Sequence, residues 1–155
     1  KIVSKLCERG ASIRDSMEIG GMSRDRSERI ARLKGIQRLS LFTLGDWVVG
    51  LTKIGSHQAS VARAMIDLGA DLAIAVGEDA GRSRCCLRAS HSFHKITGIH
   101  LGINIAQIIA ENMGGVGGGH PTASSFTLNT SPEKLVNSVF RIVENSLDIK
   151  KKSLK

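Results

Sequence analysis

Aromatic residues are scarce in this sequence: they make up 3% of the chain, with no tyrosine and one tryptophan, Trp47. Proteins that hold single strands of nucleic acid without sequence preference commonly stack bases on aromatic rings. A stacking platform of that kind is therefore not expected here. Such a ligand would be bound through its phosphates more than through its bases.

Long apolar runs are also missing. The sequence has no stretch of about 18 apolar residues, the length that a membrane-spanning helix needs, and its beginning has no apolar core of the signal-peptide type. We therefore expect no membrane partner and take the cytoplasm as the default location. Because the sequence begins with Lys1 and not with methionine, we expect a processed chain or a piece of a longer one.

Cysteine and the common catalytic motifs are sparse. The three cysteines, two of them adjacent at Cys85 and Cys86, make a poor disulfide framework, so we predict reduced, structural thiols. No G-x-S-x-G motif and no evident pair of catalytic carboxylates occurs. His91, His94 and His100 have no carboxylate at a metal-binding spacing. We therefore expect no complete catalytic site, no metal and no cofactor in this chain.

Positive charge is what the sequence has in excess. Its 155 residues include 22 Lys and Arg against 14 Asp and Glu, which gives a formal net charge of +8. A positive field of this kind attracts polyanions. Part of the excess lies in the last residues, 150–155, which we interpret as a solvated basic tail. The rest favours a phosphate-bearing partner.

Hydrophobic periodicity predicts an α/β fold with a single mixed sheet of about four to five strands and flanking helices. The chain length suits one domain behind a helical connector. The predicted helices span 2–9, 23–39, 56–68 and 100–113, with a last one that opens at Ser131-Pro132-Glu133. The predicted strands span 41–49, 71–76, 82–89 and 126–128.

A glycine-rich run, Gly114 to Gly119, is the strongest local signal, and His120 follows it directly. Glycine permits positive φ and leaves backbone N–H groups bare, so such a loop can form a concave nest that binds anions. The run matches neither the dinucleotide fingerprint nor a P-loop, because His120 stands where glycine or lysine would be needed. A flexible helix terminator is the alternative interpretation, and we favour the phosphate-binding loop.

The second signal is the basic segment from Arg82 to Ser90. On a strand, alternate residues share one face, which would place Arg82, Arg84, Cys86 and Arg88 together. Two interpretations stay open for this cationic face. It guards an exposed sheet edge, or it binds an anion.

These two segments together resemble the DHHA1 domain. The resemblance rests on a basic strand that ends in Leu87-Arg88-Ala89-Ser90, a helix, and then Gly117-Gly118-Gly119-His120-Pro121. DHHA1 is the C-terminal part of DHH-family phosphoesterases, which include RecJ-type exonucleases and nanoRNA or cyclic-dinucleotide phosphodiesterases. The similarity covers residues 41–140. It departs from the family pattern His-x-x-Ala-Ala-Gly at its end, where Ser125 replaces the glycine.

The resemblance implies that this chain recognises a substrate phosphate and does not cleave it. Hydrolysis would belong to an upstream catalytic domain that holds Mn²⁺ or Mg²⁺, because the family's Asp-His-His motif is absent from this sequence. The implied organisation is a connector over 1–39, a DHHA1-like domain over 40–149 and the tail over 150–155. The residues implied to bind phosphate are Arg88, Ser90, Gly117, Gly118, Gly119 and His120.

The implied partner is single-stranded nucleic acid, a short oligonucleotide or a nucleotide, and a homodimer is one option for the assembly. Two other functions stay open. A related module ends alanyl-tRNA synthetases, so an assembly or tRNA-binding role is the main alternative. A small-molecule enzyme with His120 as its base would need an acidic or hydroxyl partner that the sequence does not reveal.

Overall fold

The computed structural model describes residues 25–148 and 151–154. In these residues the chain forms one mixed sheet of seven strands. The strands are β1 (Ser40–Leu44), β2 (Trp47–Lys53), β3 (Leu72–Asp79), β4 (Arg82–Ala89), β5 (Val116–His120), β6 (Ala123–Leu128) and β7 (Lys151–Leu154). The helices are α1 (Arg26–Gln37), α2 (Gln58–Asp67), α3 (His91–Thr97), a π-helix (Leu101–Gln107) that continues into α4 (Ile108–Met113), and α5 (Pro132–Leu147).

The strand order across the sheet is β5-β6-β4-β3-β2-β1-β7. Only the pair of β2 and β3 is parallel among the strand pairs of the described residues, and α2 supplies its crossover. The α/β class and the single mixed sheet are thus confirmed. The number of strands exceeds the expected four to five, reaching seven.

Three local differences account for the extra strands. Gly45, with φ 58°, turns the chain inside the predicted strand 41–49 and divides it into β1 and β2. The glycine-rich run forms β5, and Lys151–Leu154 of the predicted tail forms β7, which pairs with β1. A helix over 91–97, α3, also went unpredicted. The predicted helix over 2–9 lies outside the described residues.

Alternate residues of the sheet enter two separate cores. Leu72, Ile74 and Val76 of β3 pack with the π-helix and with α3 to α5, whereas Ala73 and Ala75 pack with α1 and α2. Helix α5 starts where expected: the Ser131 hydroxyl accepts a bond from the Lys134 N–H (3.4 Å), and Pro132 is the first helical residue. Burial of each large apolar side chain contributes about 1.5–3 kcal/mol, so these cores hold both helical layers on the sheet.

The layer of α1 and α2 covers only part of its face of the sheet. Helix α2 contacts β3 and β4. Among the described residues no helix lies over β6 and β5 on this side, where Gly118 has open space above it and Val116 is 81% exposed. We call the surface that β4, β6 and β5 present on this side the open face. It consists of Arg82, Arg84, Cys86 and Arg88 of β4, Ala123, Ser125 and Thr127 of β6, and Val116, Gly118 and His120 of β5.

No helix in the described part of the chain combines the length and the apolar character that crossing a membrane requires.

Candidate functional site

Strand register brings the two sequence signals into one row of the open face. Arg88 of β4 is paired with Ala123 of β6, and Ala123 is paired with His120 of β5. Residues that are directly opposite on antiparallel strands carry their side chains on the same face. Neighbouring strands lie about 4.8 Å apart, so the backbones at Arg88 and His120 are separated by about 10 Å. Two long side chains across a short Ala123 can converge on one ligand.

The turn after His120 is anchored on both sides. Pro121 and Thr122 form the turn between β5 and β6. The Thr122 carbonyl accepts a hydrogen bond from the Ala89 N–H (3.0 Å), and the Pro121 carbonyl accepts one from the Leu101 N–H (3.0 Å). These two bonds tie the turn to the end of β4 and to the start of the π-helix. The position of His120 relative to Arg88 is therefore fixed by the backbone.

The glycine run does not have the loop conformation that we expected. Gly117, Gly118 and Gly119 lie in β5, paired with Phe126, Ser125 and Ser124. Successive N–H groups of a strand point in opposite directions, so these residues do not form the predicted concave nest. That interpretation was wrong because a run of glycines carries no side-chain periodicity, and pairing with β6 satisfies its backbone better than an open loop would.

The structure gives these glycines two distinct environments. A Cβ on Gly117 would lie 2.7 Å from the Ala106 carbonyl oxygen and 2.5 Å from the Phe126 Cβ, and a Cβ on Gly119 would lie 2.3 Å from the Ala123 carbonyl oxygen. A Cβ on Gly118 would meet nothing within 4 Å. Gly117 and Gly119 are required by close packing. Gly118 is free of such a constraint and forms part of the floor of the open face.

Ser90, another predicted site residue, is engaged in local structure. Its hydroxyl oxygen accepts a bond from the Phe93 N–H (3.0 Å), which caps α3, and its hydroxyl donates to Asp71 Oδ1 (3.2 Å). The other carboxylate oxygen of Asp71 accepts from the Val48 N–H (3.0 Å). Ser90 thus fixes the end of β4 beside β2 and β3. Ser125, which stands where the DHHA1 pattern has glycine, lies inside β6 opposite Gly118 and not in the turn.

Two arginines approach each other at this site. Partial burial lowers the pKa of the Arg88 guanidinium, and the positive charge of Arg63 lowers it further. Arg63 is an exposed residue of α2, the helix that packs on β3 and β4. Within residues 25–148, neither Arg63 nor Arg88 forms an ion pair.

Arg63 was missed in the sequence because no motif or spacing distinguishes it among the 22 Lys and Arg residues of the chain. Only the packing of α2 against β4 selects it. Two neighbouring guanidinium groups without a carboxylate repel each other, and an anion between them would relieve that repulsion. The arrangement is therefore suited chemically to binding a phosphate.

Cys86 lies between Arg84 and Arg88 on the same face of β4. Burial raises the pKa of its thiol, and it also raises the pKa of Cys85 on the other face of β4. Both thiols are free. This agrees with the predicted structural role, since a thiol whose pKa is raised stays protonated and unreactive.

No metal-binding cluster of three or more His, Cys, Asp or Glu side chains occurs in the part of the chain that the structure describes. A cavity of about 400 Å³ lies between β1, β2 and α5, and Phe42, Leu51 and Phe140 are among the residues that line it. It contains none of the predicted site residues, so the chemistry of the open face is separate from it.

No family model matches the sequence. An uncharacterized protein of Methanocaldococcus jannaschii is 30% identical over 122 residues, which cover 76% of this chain. The match spans only 37% of the length of that curated relative.

Two solved structures share the fold. An exopolyphosphatase-related protein from Bacteroides fragilis is 15% identical with a TM-score of 0.58, over 95% of this chain and 42% of that protein. The DHH domain structure of a member of a family of ribosomal proteins is 12% identical with a TM-score of 0.50, over 80% of this chain and 31% of that one. At these identities the likeness concerns the fold alone. The fold of this chain thus also occurs within a DHH-domain protein.

Proposed function

We propose that this chain is a DHHA1-like module that holds the phosphate of a nucleotide or of single-stranded nucleic acid for a DHH-family phosphoesterase. The observation that carries the proposal is the row of Arg88, Ala123 and His120 on the open face, with Arg63 beside it. The fold shared with an exopolyphosphatase-related protein and with a DHH domain supports the same class. Such a module binds a phosphate ester and leaves its cleavage to another domain.

Each residue of the row would have a separate role. The planar guanidinium of Arg88 pairs with two phosphate oxygens, and Arg63 supplies a second positive charge. The exposed imidazole of His120 donates to a further oxygen. Gly118 has no side chain and so leaves space for the ligand above β5. Gly117 and Gly119 allow β5 to pack closely against the π-helix. Ser90 acts through its cap on α3, which fixes the end of the strand that carries Arg88.

Hydrolysis of the ester is assigned, within this proposal, to residues beyond this chain that hold Mn²⁺ or Mg²⁺. Such ions supply an activated water and stabilise charge on the attacking and leaving oxygens. The residues described in the structure bind and orient the phosphate. They carry no step of bond cleavage.

Replacing Arg88 with alanine tests the proposal. We expect the binding of a 5′-phosphorylated trinucleotide to weaken by about 1–3 kcal/mol, as the loss of a charge-assisted contact should produce. Fluorescence anisotropy at low salt would measure it. Arg141→Ala is the matched control, because Arg141 is an exposed arginine on α5, which packs on the opposite face of the sheet.

Unchanged binding by Arg88→Ala would remove Arg88 from the site and discard the proposal. A clear preference of the wild-type chain for tRNA over short single strands would instead favour the assembly or tRNA-binding alternative. Equal losses in Arg88→Ala and Arg141→Ala would indicate attraction by net charge alone, which also contradicts a defined site.

Removing the charge of Arg63 should change the salt dependence of binding. Each phosphate contact to a single strand contributes about 0.7 to the slope of log affinity against log salt concentration. We expect Arg63→Ala to reduce that slope by about this amount, measured between low and moderate salt. Arg63→Lys should keep the slope because it keeps the charge. A slope that is the same in all three proteins would exclude Arg63 from phosphate binding.

A further inference from the structure

The cavity on the α5 side of the sheet is separate from the proposed phosphate site. It has a volume of about 400 Å³ and lies where α5 begins, between that helix and strands β1, β2 and β3. None of its lining residues belongs to the open face, because α5 packs on the opposite face of the sheet. The volume is within the usual range for small-molecule sites, about 300–1,000 Å³.

The inner wall of this cavity is apolar. Phe42 of β1, Leu51 of β2 and Val76 of β3 form its sheet side, and Val136 and Phe140 form its helix side. The rings of Phe42 and Phe140 meet edge to face, with their centroids 5.2 Å apart. Phe42 and Leu51 are only half-buried, although both pack against the core beneath α5. The fold therefore leaves apolar surface here that an apolar ligand would cover.

The strand register adds two polar side chains to the same face. Ser40 is paired with Leu51, and Lys53 follows Leu51 by two positions on β2. Residues in these relations share one face of a sheet. Thr52 points to the other face, where its hydroxyl donates to the Gly35 carbonyl of α1 (2.8 Å). Ser40 and Lys53 therefore continue the apolar wall into a polar rim.

The rim of the cavity carries one uncompensated positive charge. The Lys53 Nζ lies 3.2 Å from the Glu133 Oε1 in the first turn of α5, so these two exposed side chains neutralise each other. Arg38, which follows α1 directly, also lines the cavity and is exposed. Within residues 25–148, Arg38 forms no ion pair. Its guanidinium is therefore available to an anionic group of a ligand.

These features together select one class of ligand. A single uncompensated cation suits one negative charge, and the Glu133 carboxylate close by would repel a second one. An uncharged ligand would leave the Arg38 guanidinium without a partner. The apolar wall, in contrast, offers nothing to a ligand that is polar throughout.

We propose that this cavity binds a small organic monoanion, with an apolar body of about one or two aromatic rings against Phe42 and Phe140 and its acidic group at Arg38. The site goes beyond the proposed function, because it lies on the other face of the sheet and needs no phosphate bound at Arg88. It gives the domain a second ligand of different chemistry.

Two fluorescent probes that share one ring system test the role of the charge. These are 8-anilinonaphthalene-1-sulfonate (ANS) and its uncharged parent, N-phenyl-1-naphthylamine (NPN). We expect the full wild-type chain to bind one ANS molecule saturably and about tenfold more tightly than NPN, as a charge-assisted contact should produce. Arg38→Gln should reduce the ANS affinity to that of NPN and leave NPN binding unchanged. Arg29→Gln, which removes an exposed arginine of α1 outside the cavity, controls for net charge.

A tryptophan at Asn137 tests where the probes bind. Asn137 is an exposed residue of α5 that lines the cavity, so the larger side chain would occupy it without disturbing the core. We expect Asn137→Trp to abolish the saturable binding of both probes. Asn145→Trp makes the same change two turns later on α5, outside the lining, and should bind both probes as the wild type does. Urea unfolding would verify that both variants are as stable as the wild type.

Several outcomes would overturn this inference. ANS binding that survives in Asn137→Trp would place the probe outside the cavity, and absence of saturable ANS binding to the wild type would exclude a ligand of this class. Equal wild-type affinity for ANS and NPN, or equal losses in Arg38→Gln and Arg29→Gln, would remove the specific contact with Arg38. Arg88→Ala should bind both probes as the wild type does, so a failure of the proposed function would leave this test unaffected.

Discussion

Valine in place of Gly118 is expected to abolish nucleotide binding while the domain stays folded. Gly118, Ser125 and Cys86 form the next row after His120, Ala123 and Arg88 on the open face. A phosphate held between Arg88 and His120 lies directly beside this row. A branched side chain there would hold the ligand off the floor and separate it from both Arg88 and His120. Loss of two charge-assisted contacts should weaken binding by about 3 kcal/mol or more.

The stability of the Gly118→Val protein should equal or exceed that of the wild type. The added Cβ meets nothing within 4 Å. Glycine within a strand is less favourable than alanine by about 0.5–1 kcal/mol, and valine is well suited to strands. Urea unfolding would measure the stability, and anisotropy with a 5′-phosphorylated trinucleotide would measure the binding. A folded variant that binds as the wild type does would show that the ligand does not cross the open face.

Much of the fold can be predicted from the side-chain pattern. The hairpin of β3 and β4, helix α2 and helix α5 each have apolar residues at their own period, together with turn or cap residues at their ends. The missing elements lack such a signal. Strand β5 consists largely of glycine, and β7 contains Lys151 and Lys152, so only pairing with β6 and with β1 makes them strands. These pairings are long-range contacts that no local pattern encodes.

The candidate site, like the fold, can be predicted from the sequence only in part. Arg88 and His120 can be picked out because a cationic strand and a glycine run are unusual compositions. Their placement in one row depends on the register of β4, β6 and β5, which the Ala89 to Thr122 hydrogen bond fixes. Arg63 has no local signal, because it reaches the site through the packing of α2. Residues contributed by a second element are therefore the part that sequence reasoning misses.

The backbones of Gly102 and Gly119 pack closely against each other. A Cβ on Gly102 would lie 2.3 Å from the Gly119 carbonyl oxygen and 2.6 Å from its carbonyl carbon. The π-helix therefore lies directly against the backbone of β5. Helices of this kind are rare and are frequently found at functional sites. Here the close approach supports the edge strand that carries His120.

Alanine in place of Gly102 should consequently lower the free energy of unfolding by about 3 kcal/mol, the upper part of the range for overpacked interiors. Both atoms that the new methyl group would meet belong to backbone, so the π-helix or β5 must move as a unit. Gly118→Ala is the matched control, since it adds the same methyl group to β5 in open space. The midpoint of urea unfolding at constant slope measures the difference.

A shift of β5 would also strain the bond from the Leu101 N–H to the Pro121 carbonyl and move His120 away from the row with Arg88. The Gly102→Ala protein, at a temperature where it is still folded, should therefore bind a 5′-phosphorylated trinucleotide more weakly than the wild type. Equal stability of Gly102→Ala and Gly118→Ala would contradict the close packing. A large loss of stability with unchanged binding would separate the π-helix from the site and leave it a purely structural support.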